Sequence, residues 1–82
     1  MAARLRLFAR AREAAGRSSD DIEAATVGEL LDRACAAYGS EFAAVLGASK
    51  VWLNGEEPEA GRETRLAPGD EVAVLPPVSG GV

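Results

Sequence analysis

The sequence predicts an α+β domain in which one main helix covers one face of a small mixed sheet. Three observations carry that expectation. Residues 3–9 alternate with the two-residue period of a half-buried strand, and residues 26–39 hold a capped amphipathic helix. Residues 71–75, Glu-Val-Ala-Val-Leu, form a short apolar run bounded by turn residues.

In the first strand, Leu5 and Leu7 face one way and Arg4, Arg6 and Phe8 the other. Residues 10–16 read as a loop with one helical turn, stopped by Gly16. Ser18-Ser19-Asp20-Asp21 is turn-forming, and Ile22–Ala24 is a short second strand. Thr26-Val27-Gly28-Glu29 has capping-box spacing: the Thr26 hydroxyl suits the amide of Glu29, and the Glu29 carboxylate that of Thr26. Val27, Leu30, Leu31, Ala34 and Tyr38 then recur at helical spacing, and Gly39 stands where a left-handed cap is expected. Ser40–Leu46 suggests a second short helical segment ended by Gly47. Lys50–Leu53 is a strand, and Asn54-Gly55 is a type I′ turn signal. Pro58 makes the next stretch an edge or irregular. Pro68-Gly69-Asp70 turns the chain into Glu71–Leu75, and Pro76-Pro77 ends ladder pairing with a stiff, extended exit.

Eighty-two residues hold one small domain. Hydrophobic residues make up 48%, but 17 of them are alanine, so the core must be economical. With 27% charged residues the profile is that of a soluble globular chain. No apolar run approaches the ~20 residues of a membrane span, and the N-terminus lacks a signal-peptide core. A cytoplasmic location without membrane contact is the expectation.

Cys35 is the only cysteine and there is no histidine, which excludes an intrachain disulfide, the usual zinc sites and the Cys-His and Ser-His pairings. No metal or bound cofactor is expected. Cys35 reads as a small core thiol more readily than as a reactive one. Five arginines and one acid in residues 1–19 give that segment +4; the other four basic and twelve acidic residues give −8. The arginines lack interleaved aromatics, so a solvated or partner-facing edge is expected, not nucleic-acid binding.

The domain is placed at residues 1–77 and a flexible Gly-Gly tail at 78–82. A glycine pair beyond a diproline has two readings. One is a frayed end. The other is a tail to be threaded into a partner's active site, since glycine lets the backbone pass a narrow channel.

Leu5-Arg6-Leu7-Phe8-Ala9-Arg10-Ala11-Arg12-Glu13-Ala14-Ala15-Gly16, Thr26-Val27-Gly28-Glu29-Leu30-Leu31, Val51-Trp52-Leu53-Asn54-Gly55, Pro68-Gly69-Asp70-Glu71-Val72-Ala73 and Pro76-Pro77-Val78-Ser79-Gly80-Gly81 together carry a resemblance. The chain resembles the MoaD/ThiS sulfur carriers, and within them the small subunit of molybdopterin synthase. The resemblance implies a ubiquitin-like β-grasp: a mixed sheet of four to five strands, first and last strands parallel neighbours, with one main helix on one face.

It also implies a mechanism. An adenylating enzyme activates the C-terminal glycine carboxylate with ATP and Mg²⁺, and a sulfurtransferase or other sulfur donor converts the adenylate to a thiocarboxylate. The tail then enters the large subunit of molybdopterin synthase and donates sulfur for the dithiolene. The chain would thus be a co-substrate with no side-chain active site of its own. By this resemblance Gly81 bears the thiocarboxylate and Gly80 gives the tail clearance.

Phe8 and Leu75 match the family's partner-docking sheet surface. Strand alternation independently puts both on the outward face, with Trp52 in the same phase. Pro76, Pro77 and Val78 complete the partner-binding set. The competing reading is that Phe42, Val45 and Leu46 fold over part of that face. Arg12 and Glu13 also match and could simply pin their loop.

One position departs from the family: Val82 follows the glycine pair. It is trimmed by a peptidase, tolerated, or marks a copy without carrier activity. The competing assignments are a carrier for cysteine or thiamine biosynthesis and, from another class, a β-grasp binding module with an inert tail.

Overall fold

The computed structural model describes residues 2–77. The chain runs β1 (Ala2–Leu7), α1 (Ala9–Ala15), β2 (Ser19–Glu23), α2 (Val27–Tyr38), α3 (Ser40–Gly47), β3 (Lys50–Leu53) and β4 (Glu71–Leu75), with a 3₁₀ turn at Gly61–Glu63. The sheet order is β2-β1-β4-β3. The central pair, β1 and β4, is parallel, with Leu5 opposite Val72 and Leu7 opposite Val74. Both flanking pairs, β1/β2 and β3/β4, are antiparallel. This is the mixed four-stranded sheet and β-grasp arrangement expected.

Alternation decides which face is covered. Ala3, Leu5 and Leu7 of β1 and Val72 and Val74 of β4 are buried. Against them pack Val27, Leu30, Leu31 and Ala34 of α2 and Phe42 of α3, the largest fully buried side chain. Val51 and Leu53 join this side; Trp52, one residue out of phase, does not. No polar or charged side chain is buried among the described residues. The core is purely apolar.

Several boundaries differ from the sequence expectation. β1 ends at Leu7, not Ala9, because Ala9 takes φ +51° and breaks the extended run. Residues 9–15 form a two-turn helix where a loop with one helical turn was expected, and Gly16 ends it as expected, as its left-handed cap. Its inward face consists of alanines, Ala11 fully buried and Ala14 and Ala15 partly so, which gives little amphipathic contrast. β2 begins at Ser19, inside the expected turn, and ends at Glu23. It is a polar edge strand whose Asp21 accepts from Arg4 Nε at 2.9 Å. Gly39 has φ +103° but ψ −178°, so it is not a left-handed helical cap; it joins α2 directly to α3. The Asn54-Gly55 turn is as expected: both residues have positive φ, and Leu53 and Glu56 exchange N–H···O bonds of 2.7 and 3.0 Å.

At the start of α2, the Glu29 amide donates to Thr26 Oγ1 at 3.1 Å. The Glu29 carboxylate accepts from the amide of Ala25 at 2.6 Å, one residue earlier than a standard capping box places it. That hydrogen bond, then the one from Arg33, holds the Glu29 carboxyl below its ordinary value of 4.5. Asp70 is held below its ordinary 3.8 by the Ala67 amide and then by Asn54. Depressed folded values mean that the unfolded chain binds more protons in this window. Their stabilisation is therefore present above the ordinary values and lost as pH falls through the folded ones. Urea midpoints taken from about pH 6 to about pH 3 are expected to fall, and Glu29→Gln is expected to flatten that acid limb.

Candidate functional site

β1, β3 and β4 place one apolar surface on the uncovered side of the sheet. Phe8 sits in extended conformation (φ −126°, ψ 151°) between β1 and α1, at the exit of β1. It is 40% exposed, the one large hydrophobic residue in that state among the described residues. Phe8, Trp52, Ala73 and Leu75 line a shallow concavity of about 320 Å³ with Gly55 and Glu71. The register explains the grouping: Trp52 pairs with Ala73, and Arg6 pairs with Ala73 from the other side. Lys50, opposite Leu75 at the start of β3, is exposed and lines a different hollow, with Val27 and Leu31.

Phe42, Val45 and Leu46 do not cover this surface. Phe42 is buried in the core and Val45 and Leu46 pack beside it, on the helix side of the sheet. Phe8, Leu75 and Trp52 are therefore brought together as the residue alternation implied.

The sequence reading missed Arg6, which frames the patch. Its guanidinium carbon lies 5.7 Å from the Phe8 ring centroid, and Nη1 donates to Glu71 Oε2 at 3.3 Å. Cation–π contact and ion pair together hold the arginine against the ring. The period-two phase of β1 and β4 already put Arg6 and Glu71 on this face. Their pairing follows only from the parallel register.

Pro76 and Pro77 do not line the patch. They form one wall of a second hollow of about 180 Å³ on the helix side, with Arg10 of α1 and Ala44, Val45 and Ala48 at α3. The chain after Leu75 thus starts between two concavities, one on each side. Gly80, Gly81, Val78 and Val82 lie outside the described residues. Arg12 and Glu13 are exposed on α1, away from both hollows.

Other chemistry-bearing groups are structural. Burial, then the nearby Asp32 carboxylate, pushes the Cys35 thiol up, which disfavours the thiolate. Tyr38 Oη donates to Asp20 at 2.7 Å; burial and then that bond push its phenol up. Tyr38 also meets Phe42 edge-on, centroids 5.1 Å apart, tying β2 to the α2–α3 junction. Among the described residues no three His, Cys, Asp or Glu side chains come together as a metal site, and no helix is long and apolar enough to cross a membrane.

Solved structures share this fold along their whole length. The structure is similar to small archaeal modifier protein 1 from Haloferax volcanii: 34% identity, 99% of this chain and 100% of that one, TM-score 0.85. It is similar to a putative molybdopterin converting factor subunit 1 from Pyrococcus furiosus (25% identity, 95% and 99% covered, TM-score 0.82). A chain from the complex of subunits 1 and 2 of the molybdopterin-converting factor of Helicobacter pylori matches at 28% identity, 99% and 100% covered, TM-score 0.71. The comparison with curated proteins returned no match. The family model of ThiS matches residues 5–81, nearly the whole chain, and the protein belongs to the ThiS family.

Proposed function

We propose that this chain is a sulfur carrier that serves as the small subunit of a molybdopterin synthase, with Gly81 as the sulfur-bearing residue. One observation supports this most: the apolar patch of Phe8, Trp52 and Leu75 lies beside the point where β4 gives way to the tail. A partner that grips the patch receives the tail in the same act. The apolar core fits a body that presents a reactive end and leaves acid–base work to others.

In the proposed cycle an adenylating enzyme joins the Gly81 carboxylate to the α-phosphate of Mg²⁺-bound ATP, and pyrophosphate leaves. Sulfide-level sulfur from the donor attacks the acyl carbon, AMP leaves, and a thiocarboxylate remains. At the acceptor enzyme that sulfur bonds to the acceptor, water attacks the Gly81 carbonyl carbon, the C–S bond breaks and the carboxylate returns. In this scheme the carboxylate must sit on Gly81, so the form that is loaded is the one ending there. The protein binds no cofactor in this scheme, since ATP and Mg²⁺ belong to the adenylating enzyme.

The likeness to the molybdopterin-converting factor subunits favours the molybdopterin acceptor over cysteine or thiazole synthesis. The 34% identity to an archaeal modifier protein favours a second reading, in which the same activated glycine is transferred to an amine of another protein. The test offers thiocarboxylated carrier separately to a molybdopterin synthase large subunit, a cysteine synthase, a thiazole synthase and a lysine-rich acceptor protein. Sulfur is expected to pass to the first. Transfer only to one of the others overturns the molybdopterin assignment.

A further inference from the structure

We propose that Arg6 is a specificity residue of the docking face: it takes a carboxylate of the partner, set beside an apolar side chain that enters the hollow at Ala73, and Glu71 holds that place in the free domain. The proposal rests on the carrier reading in one respect, that a partner protein covers this face.

The register isolates Arg6. Across the strands it stands between Ser19 of β2 and Ala73 of β4, two small side chains that leave the guanidinium open on both flanks. The carboxylates lie in register with a neighbour instead: Arg4 stands between Asp21 and Glu71 and takes Asp21 at 2.9 Å. Glu71 reaches diagonally to Arg6 Nη1 at 3.3 Å, longer than the 2.8 Å between Arg62 and Asp32. Among the described residues that is the one hydrogen bond of the Arg6 guanidinium, and Glu71 Oε1 has no donor. Both side chains remain nearly half exposed, at 44% and 46%. The Phe8 ring, its centroid 5.7 Å from the guanidinium carbon, holds Arg6 beside the hollow that Phe8 and Glu71 line.

Docking makes this arrangement costly. In water an exposed ion pair adds little to stability, and solvent satisfies the remaining N–H groups. A partner that fills the hollow of about 320 Å³ with an apolar side chain drives that water out. Glu71 alone cannot then satisfy the guanidinium, and a charge desolvated without its full set of partners weakens a complex. The guanidinium offers donors only, so the missing group is an acceptor; a carboxylate matches both its charge and its planar fork. Cation–π contact with Phe8 fixes the fork before the partner arrives, which lowers the entropy lost on docking. A surface that presents an apolar side chain without the carboxylate meets an unsatisfied arginine and is rejected.

The test measures binding of the full chain, by calorimetry, to a carrier-adenylating enzyme and to a molybdopterin synthase large subunit, without ATP or a sulfur source. Arg6→Gln is expected to weaken binding to at least one of them by about tenfold or more. Glu71→Gln is expected to leave that binding intact or tighten it a few-fold, because the incoming carboxylate no longer shares Arg6 with a like charge. Arg6→Lys, with the charge but not the fork, is expected to fall between the native chain and Arg6→Gln. The gap between native and Arg6→Gln is expected to narrow as salt rises from about 0.05 to about 0.5 M. Urea midpoints should stay together, since both side chains are exposed. Equal weakening by Arg6→Gln and Glu71→Gln means that the pair only steadies Phe8, and overturns the proposal. Binding that Phe8→Asp abolishes and Arg6→Gln leaves intact also overturns it, while keeping the docking face. So does sedimentation showing a dimer of this chain that Phe8→Asp dissolves. Binding of the native chain to neither partner overturns the docking reading as well.

Discussion

Phe8→Asp is expected to cut sulfur loading at low adenylating-enzyme concentration by a factor between about 30 and about 1,000. An aromatic anchor at the centre of an interface is worth ~2–4 kcal/mol when lost, and each 1.4 kcal/mol is tenfold. Aspartate removes the ring and places a desolvation-costly charge where a partner would bury it. Stability should barely change, because Phe8 is 40% exposed and contributes to the outer face, not to the core. Surface changes of this kind fall within about 0.5 kcal/mol. The new carboxylate also stands beside Arg6, which loses its ring contact and gains a charge partner. The check is kcat/KM for carrier-dependent adenylation, together with a urea midpoint. An unchanged kcat/KM would remove the patch from the docking surface.

Phe42→Ala is expected to destabilise the domain by ~3–5 kcal/mol. Phe42 is fully buried and is the largest side chain in the core, with the Tyr38 ring against its edge. The rest of the core is thinned by alanine: Ala3, Ala11 and Ala34 occupy buried positions. Little nearby mass can collapse into the space a lost ring leaves, so the cost belongs near the top of the range. For a chain of this length total stability is on the order of 4–12 kcal/mol, so the loss takes between about a quarter and all of it. Urea denaturation monitored through Trp52 decides it. A loss under about 1 kcal/mol would mean that α3 is not seated on the sheet as described.

Most of the fold was legible in the sequence because the decisive signals were large residues at regular spacing. Leu5/Leu7 and Val72/Val74 announced the two central strands, and Thr26 with Glu29 announced the start of α2. The same phase located the patch, since Phe8, Trp52 and Leu75 each stand one residue out of step with a core position. What was not legible depended on small or polar residues. α1 buries alanines, whose helical periodicity carries too little contrast to separate helix from loop. β2 is an edge strand whose Ser19, Asp20 and Asp21 look like a turn until β1 pairs with them. The hollow at Arg10 was out of reach for another reason: it exists only because α1, α3 and the end of β4 converge. No local pattern encodes that meeting.

The central claim is that the domain carries sulfur on Gly81. The most direct measurement is the intact mass of three forms, ending at Val82, at Gly81 and at Pro77, after incubation with adenylating enzyme, Mg²⁺-ATP and a sulfur source. The form ending at Gly81 alone is expected to gain the mass of one oxygen exchanged for sulfur, and Phe8→Asp in that form is expected to gain it slowly. No gain on the Gly81 form, or an equal gain on the form ending at Pro77, would contradict the claim.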